Sequence, residues 1–339
     1  MPDQPQLRDH QLPSVRLRVA EAGDPSDPLV VLVHGWPESW YSWRHQIPAL
    51  AEAGYRVLAP DMRGYGGSEA PEEVGQYDIF HLCDDLAALI QSAGAEHAAI
   101  VGHDWGAIVG WHFALLHPEK VNAVAGLSVP YGGRARVSPL ETWRTKHGDD
   151  FYYILYFQEL DDEGRGVAEQ EFDAAPRELL SRLLVSPDTP CAEPELSDPA
   201  RAAGGMIPRL GRPLERPDWL TDADLDYYSQ EFARAGFRGG INYYRNFHRN
   251  WEQTPHLEGA RVPQPALFVS GAEDAVIRGA NIDQLAALLA HGVADLRGLH
   301  LLPGIGHWVQ QEAPELTNEI LLNYLSTAVG SQRVMTTAP

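Results

Sequence analysis

The chain has 339 residues, of which 44% are hydrophobic and 22% charged, an ordinary globular composition that argues against a disordered or coiled-coil protein. Its 26 Lys and Arg residues against 47 Asp and Glu residues leave a formal net charge of −21, which disfavours nucleic acids and anionic membrane surfaces as partners. Two cysteines supply neither a disulfide framework nor a zinc cage.

The N-terminal residues 1–12 are polar and rich in Pro and Gln, without the apolar segment of a secretory signal. We expect this segment, like the opposite end of the chain, to be disordered. No apolar run approaches the ~20 residues of a membrane-spanning helix. A soluble, cytoplasmic protein is therefore expected.

Short apolar runs along the chain are typical of parallel strands covered on both faces, and an alternating run near the start is typical of a strand with one wet face. The predicted strands are residues 15–19, 29–33, 56–59, 98–101, 121–127 and 266–269. The predicted helices are residues 78–93, 105–117, 281–291 and 314–324. This alternation indicates a doubly wound α/β sheet.

The interval from about residue 130 to residue 256 breaks the alternation. It contains aromatic and acidic helical stretches at 151–160, 178–184 and 222–235, and a loop rich in Pro, Asp and Glu at 186–200. We therefore predict an α/β core made of residues 1–130 and 257–339, with residues 131–256 inserted as a helical lid.

The segment from Gly102 to Gly106 reads Gly-His-Asp-Trp-Gly, between a predicted strand and a predicted helix. Gly-x-nucleophile-x-Gly at such a turn is the sequence of a nucleophile elbow, and here Asp104 stands at the nucleophile position. Because Asp directly before a helix is also a good N-cap, the pentapeptide alone leaves both interpretations of Asp104 open.

Two later residues complete a triad in the order nucleophile, acid, histidine, which is the order of the α/β hydrolases. Asp274 follows the predicted strand at 266–270, and His307 lies in a Gly-flanked loop. Glu273 is a competing acid, and position alone favours Asp274.

Backbone donors for an oxyanion are also suggested by the sequence. A Gly-containing turn follows the predicted strand at 29–33, and it can direct the N–H of Trp36 towards the nucleophile. The residue after the nucleophile, Trp105, would supply the second N–H.

Four segments resemble the motifs of the epoxide hydrolases of the α/β-hydrolase fold, most closely those of the hydrolase domain of soluble epoxide hydrolase. They are residues 34–44, 61–68, 102–106 and 306–308. The resemblance covers roughly residues 15–325. We expect the hydrolase domain to stand here without the phosphatase domain of the mammalian enzyme.

The resemblance implies two functional lid tyrosines. Tyr153 is assigned within residues 151–159 and Tyr244 within residues 236–246, each with a neighbouring tyrosine, Tyr152 or Tyr243, that leaves an ambiguity of one residue. Without the family pattern, such an aromatic cluster would be interpreted as core packing.

These residue types suit the opening of an epoxide. A carboxylate that attacks the saturated carbon forms an ester, which water can hydrolyse, whereas serine would form a stable ether. Two phenols can protonate the leaving oxygen, and His307 oriented by Asp274 can activate the water. The expected substrate is a small apolar epoxide, and no metal or organic cofactor is required.

Two alternatives stay open on the sequence. A haloalkane dehalogenase uses the same aspartate nucleophile but needs halide-binding N–H donors instead of two phenols. A non-catalytic binding protein on this fold is the other alternative, although it would be expected to lack a triad residue. The sequence leaves the identity of the epoxide and the oligomeric state open, with a homodimer as one option.

Overall fold

The computed structural model describes residues 5–277 and 279–329, and within these ranges eight strands form one sheet. The strands are Gln6–Gln11 (β1), Arg16–Ala22 (β2), Leu29–Val33 (β3), Arg56–Pro60 (β4), Ala98–His103 (β5), Val121–Leu127 (β6), Val262–Gly271 (β7) and Val293–Leu302 (β8). Their order across the sheet is β1-β2-β4-β3-β5-β6-β7-β8.

The pairs β1–β2 and β2–β4 are antiparallel, and every other neighbouring pair is parallel. The central strands β3 and β5 are buried along their whole length. Fully buried strands of this kind are read in a sequence as unbroken apolar runs, which is why they could be predicted. The predicted doubly wound α/β sheet is confirmed.

The helices fall into two groups. Those outside the lid interval are Gln46–Glu52 (α1), Ile79–Ser92 (α2), Trp105–Leu116 (α3), Ile282–Gly292 (α11), Val309–Glu312 (α12) and Pro314–Ala328 (α13). Those between β6 and β7 are Pro139–His147 (α4), Tyr153–Tyr156 (α5), Val167–Ala174 (α6), Pro176–Leu183 (α7), Asp222–Ala235 (α8), Arg238–Arg245 (α9) and Phe247–Gln253 (α10).

Apolar side chains pack on both faces of the sheet. Alternate residues of β3 belong to different cores: Val31 lies in the core formed with α2, α3 and α11, and Leu32 in the core formed with α1 and α13. Because side chains alternate along a strand, each buried strand contributes to both layers. No helix within the described ranges is long and apolar enough to cross a membrane.

The N-terminal segment differs from its prediction. Residues 6–11, expected to be disordered, form the edge strand β1, which pairs with β2 from Gln6 opposite Glu21 to Gln11 opposite Arg16. Apart from Leu7 its side chains are polar, and most are exposed, so it has no alternating apolar pattern to reveal it. The disorder predicted for the C-terminal end concerns residues from 330 onwards, which lie outside the described residues.

The seven helices between β6 and β7 occupy the interval in which the sequence predicts a lid. Helix α8 contacts the core through the hydroxyl of Tyr41, which donates to Asp224 at 2.8 Å, and through a 2.7 Å hydrogen bond between Ser42 and Tyr228. The boundaries at 131 and 256 stay a prediction.

Candidate active site

Asp104 lies in a tight turn between β5 and α3. Its backbone has φ 52° and ψ −117°, a conformation that side-chain-bearing residues rarely adopt and that is often found at functional sites. Two glycines allow the turn: a Cβ on Gly102 would lie 2.1 Å from the carbonyl oxygen of Gly106, and one on Gly106 would lie 1.9 Å from that of Val33.

The carboxylate of Asp104 does not cap the helix that follows it. Its side chain makes no capping hydrogen bond to α3, although it stands at the N-cap position. Instead the N–H of Trp36 donates to Asp104 Oδ1 at 2.9 Å. The N-cap interpretation of Asp104 is therefore wrong, and the carboxylate faces the loop that follows β3.

Asp274 and His307 lie close to this carboxylate. Nδ1 of His307 is 3.0 Å from both carboxylate oxygens of Asp274, and Nε2 is 3.6 Å from Asp104 Oδ2. Asp274 is fully buried and also accepts the N–H of Val276 at 2.8 Å, whereas Glu273 is exposed. Of the two candidate acids, Asp274 is the one that contacts the histidine.

The charges of Asp104, Asp274 and His307 act on one another. Burial alone would lower the pKa of His307, but the carboxylates of Asp274 and Asp104 outweigh burial and raise it well above its ordinary value. Burial would raise the pKa of Asp274, but the facing His307 ring outweighs that and lowers it. The histidine therefore holds a proton more tightly while both carboxylates are charged.

Two lid tyrosines lie near enough to Asp104 for its charge to act on their phenols. Tyr153 begins α5 and Tyr244 lies in α9, and their ring centroids are 5.9 Å apart. The Tyr244 ring is edge-on to Trp36 at 5.9 Å and to Trp105 at 5.1 Å. Burial raises the pKa of both phenols well above the ordinary value, and the charge of Asp104 raises it further, so both keep their protons.

The neighbouring tyrosines face other groups. The hydroxyl of Tyr243 donates to the carbonyl of Arg63 at 3.1 Å. The ring of Tyr152 stacks on His147, with centroids 4.3 Å apart and an interplanar angle of 2°. These contacts favour Tyr153 and Tyr244 in the one-residue ambiguity.

The position of α9 depends on close backbone packing against the loop after β4. A Cβ on Gly239 would lie 2.3 Å from the carbonyl oxygen of Gly64, and one on Gly240 would lie 2.6 Å from the hydroxyl of Tyr65. Only glycine permits this approach. Gly64 and Tyr65 thus help to place Tyr244 against Trp36 and Trp105.

Sequence reasoning missed a buried pair beneath the triad. Nδ1 of His103 lies 2.7 Å from Glu38 Oε2, and Nε2 of His103 donates to the backbone carbonyl of His307 at 2.8 Å. Burial would raise the pKa of Glu38, but the His103 ring outweighs it and lowers the pKa to about 2. The only signals in the sequence were positional: His103 directly precedes Asp104, and Glu38 lies in the turn after β3.

The predicted oxyanion donors differ in what they contact. The N–H of Trp36 reaches Asp104, as given above, while no hydrogen bond from the N–H of Trp105 to that carboxylate is found in the described part of the chain. Within the same residues, no cluster of three or more His, Cys, Asp or Glu side chains could hold a metal ion.

Known proteins resemble this chain over nearly its whole length. The alpha/beta hydrolase fold family matches residues 28–314. Epoxide hydrolase A of Mycobacterium tuberculosis (strain ATCC 25618 / H37Rv) is 46% identical, over 92% of this chain and 94% of that protein. Bifunctional epoxide hydrolase 2 of Sus scrofa is 38% identical, over 93% of this chain and 54% of that protein. The solved structure of epoxide hydrolase A from Mycobacterium thermoresistibile has a TM-score of 0.86 and 49% identity, covering 95% of this chain and 98% of that one.

Proposed function

The chain belongs to the epoxide hydrolases of the α/β-hydrolase fold, and from this we propose that it converts an epoxide and water into a vicinal diol through an ester on Asp104. The observation that carries the proposal is the placement of the Asp104 carboxylate. One oxygen accepts the N–H of Trp36 at 2.9 Å, and the other lies 3.6 Å from His307 Nε2. The proposed nucleophile, the carboxylate of Asp104, thus lies beside both a backbone donor and the proposed base.

In the first step a carboxylate oxygen of Asp104 attacks an epoxide carbon. A C–O ester bond forms as the C–O bond of the ring breaks, and the electron pair goes to the epoxide oxygen. That oxygen takes a proton from the phenol of Tyr153 or Tyr244. Because an aspartate carboxylate is ordinarily ionised at neutral pH, this step needs no general base.

In the second step His307 takes a proton from water, and the resulting hydroxide attacks the ester carbonyl of Asp104. The N–H of Trp36 stabilises the oxyanion, and we propose that of Trp105 as the second donor. Collapse breaks the bond between the carbonyl carbon and the ester oxygen, and that oxygen takes the proton that His307 received from water, which completes the diol. The proton of the new carboxyl group returns to the phenolate left by the first step, so the Asp104 carboxylate and the tyrosine are both restored.

The charge coupling of the triad fits this order of steps. While Asp104 is ionised, its charge helps to raise the pKa of His307. Esterification removes that charge, so the pKa of His307 falls and the ring becomes available as a neutral base. Asp274 stays ionised and stabilises the imidazolium that forms.

The two alternatives are disfavoured for different reasons. The named relatives, with the two phenols facing Asp104, favour epoxide opening over haloalkane dehalogenation. A non-catalytic binding protein would have no need of three triad residues that lie next to one another, as Asp104, Asp274 and His307 do.

We propose a small apolar epoxide as the substrate, because Tyr244 packs against Trp36, whose N–H binds Asp104, and against Trp105, which follows Asp104 in the chain. We propose the cytoplasm as the location of the protein, in keeping with the free cysteines Cys83 and Cys191. Diol formation across aryl, terminal aliphatic and fatty-acid epoxides tests the substrate class. Diol from none of them, with chloride released from 1-chloroalkanes, would restore the dehalogenase alternative.

Tyr153→Phe and Tyr244→Phe are each expected to lower kcat/KM by roughly ten- to a hundredfold, because a charge-assisted hydrogen bond in a dry site is worth ~1.5–3 kcal/mol. The double variant should lose much more than either single variant, since the alkoxide would then have no phenol donor. Steady-state diol formation and thermal unfolding measure activity and stability separately, and the melting temperature should barely change.

Tyr152→Phe and Tyr243→Phe are the matched controls for these variants. Tyr243 donates to the Arg63 carbonyl, so its loss should cost stability of about 1 kcal/mol with little change in rate. If a control variant loses activity and its neighbour does not, the assignment is wrong by one residue. If all four variants keep their rates, the phenol mechanism is wrong.

A further inference from the structure

The loop that carries His307 is held by a single carboxylate on the short helix after it. Glu312 Oε2 accepts the N–H of Gly306 at 3.0 Å, and Glu312 Oε1 accepts the N–H of Trp308 at 2.9 Å. The two amides that flank the proposed base are therefore bound by one side chain, which itself lies outside the triad.

The same loop is held on its other sides as well. The carbonyl of His307 accepts the hydroxyl of Ser128 at 2.7 Å, in addition to the contact from His103. The lid lies against the loop, because a Cβ on Gly306 would be 2.9 Å from Pro187 Cδ, and the indole N–H of Trp308 donates to the carbonyl of Leu183 at 3.2 Å. Little freedom is left to the backbone of the base.

Removing a carboxylate from water costs free energy unless hydrogen bonds or nearby charges compensate for the lost hydration. Glu312 is partly buried, and burial raises its pKa even though the two amides, the hydroxyl of Ser186 and the charge of His307 favour the charged form. A neutral glutamine of similar size has one acceptor oxygen, so it can satisfy one of the two amides and must turn an N–H towards the other. The paired acceptors of a carboxylate match the paired amides.

We propose that Glu312 is a positioning residue for the second half-reaction, which holds His307 Nε2 where it can take a proton from the attacking water. The inference rests on the two-step function proposed above. Glu312 is expected to leave the first step almost untouched, because the attack of Asp104 on the epoxide uses no base. Its effect should therefore fall on hydrolysis of the ester alone.

Glu312→Gln tests this division between the steps. We expect ester hydrolysis to slow by about tenfold or more, since displacement of a catalytic group by about 1 Å can cost a hundredfold. Alkylation should stay within about twofold of the unchanged enzyme. Rapid quenching followed by intact-protein mass spectrometry, with an aryl epoxide as probe, measures the growth of the adduct, and a chase without epoxide measures its decay.

Glu319→Gln is the matched control, because Glu319 is an exposed glutamate on the neighbouring helix α13. It should leave both rates unchanged. Glu312→Asp keeps the charge but shortens the reach, so it should bind one amide and show a smaller loss in hydrolysis. This second variant keeps the test open if Glu312→Gln folds poorly.

An equal loss in both steps, or unchanged hydrolysis in folded Glu312→Gln and Glu312→Asp, would overturn the inference and leave Glu312 a structural residue. His307→Gln distinguishes that failure from failure of the proposed function. If His307→Gln accumulates an adduct but the Glu312 variants do not, only the positioning role is wrong. If His307→Gln binds epoxide but forms no adduct, the proposed function fails instead, because His307 is then not the base for ester hydrolysis or water attacks the epoxide directly.

Discussion

Asp104→Asn is expected to reduce epoxide turnover by at least about ten-thousandfold, the scale of loss seen when a covalent nucleophile is removed. An amide is a poor nucleophile, so the ester cannot form at a useful rate. The fold should persist, because the amide oxygen can still accept the N–H of Trp36 that now donates to Asp104 Oδ1. Diol formation measured against the uncatalysed reaction gives the loss.

The control for this variant is chemical as well as structural. Mass spectrometry of the peptide that contains position 104 must exclude deamidation to Asp, and thermal unfolding should stay close to that of the unchanged chain. Asp283→Asn, at an exposed position in the first turn of α11, should keep full activity. Near-normal turnover by the Asp104→Asn variant, with its amide intact, would contradict the nucleophile assignment.

His307→Gln is expected to stop the reaction after the first step. Ester hydrolysis should fall by about a thousandfold or more, because the water loses its general base, while alkylation of Asp104 continues. Mixing the variant with excess epoxide should therefore add the mass of one substrate to the intact protein. A variant that binds epoxide but gains no mass would show that His307 is not the base for ester hydrolysis or that water attacks the epoxide directly.

The candidate active site was predictable where its residues belong to short sequence motifs. Each motif occupies a few consecutive residues: the Gly-x-Asp-x-Gly turn, the end of the strand that precedes Asp274, and the Gly-flanked loop around His307. Parallel strands bring their carboxyl ends to one edge of the sheet, so these segments meet without further information. The structure brings Asp104, Asp274 and His307 together as expected.

Contacts between distant segments were not predictable in the same way. Glu38 and His103 are 65 residues apart in the chain, and neither has a pattern that marks it as a buried partner of the other. The phenol positions required the family resemblance, because Tyr152 and Tyr153 are indistinguishable as residue types. The edge strand β1 was missed because it is formed by backbone pairing with β2, and its exposed side chains leave no apolar pattern in the sequence.

The contacts of Glu312 with its loop illustrate the same limit. In the sequence it is one of 47 acidic residues, and only the fold reveals that both of its oxygens accept amides beside His307. The spacing of six residues from Gly306 to Glu312 carries no recognised signal. Positioning residues of this kind are defined by geometry, which a sequence pattern does not contain.

The measurement that tests the covalent ester most directly is a single turnover in water labelled with ¹⁸O, with enzyme in excess over epoxide. If Asp104 forms the ester and water attacks its carbonyl, the first diol carries an oxygen from the enzyme and the label enters the carboxylate of Asp104. Mass spectrometry of the diol and of the peptide containing Asp104 should therefore find unlabelled product and labelled protein. Labelled diol with an unlabelled Asp104 would contradict the account, because water would then have attacked the epoxide itself.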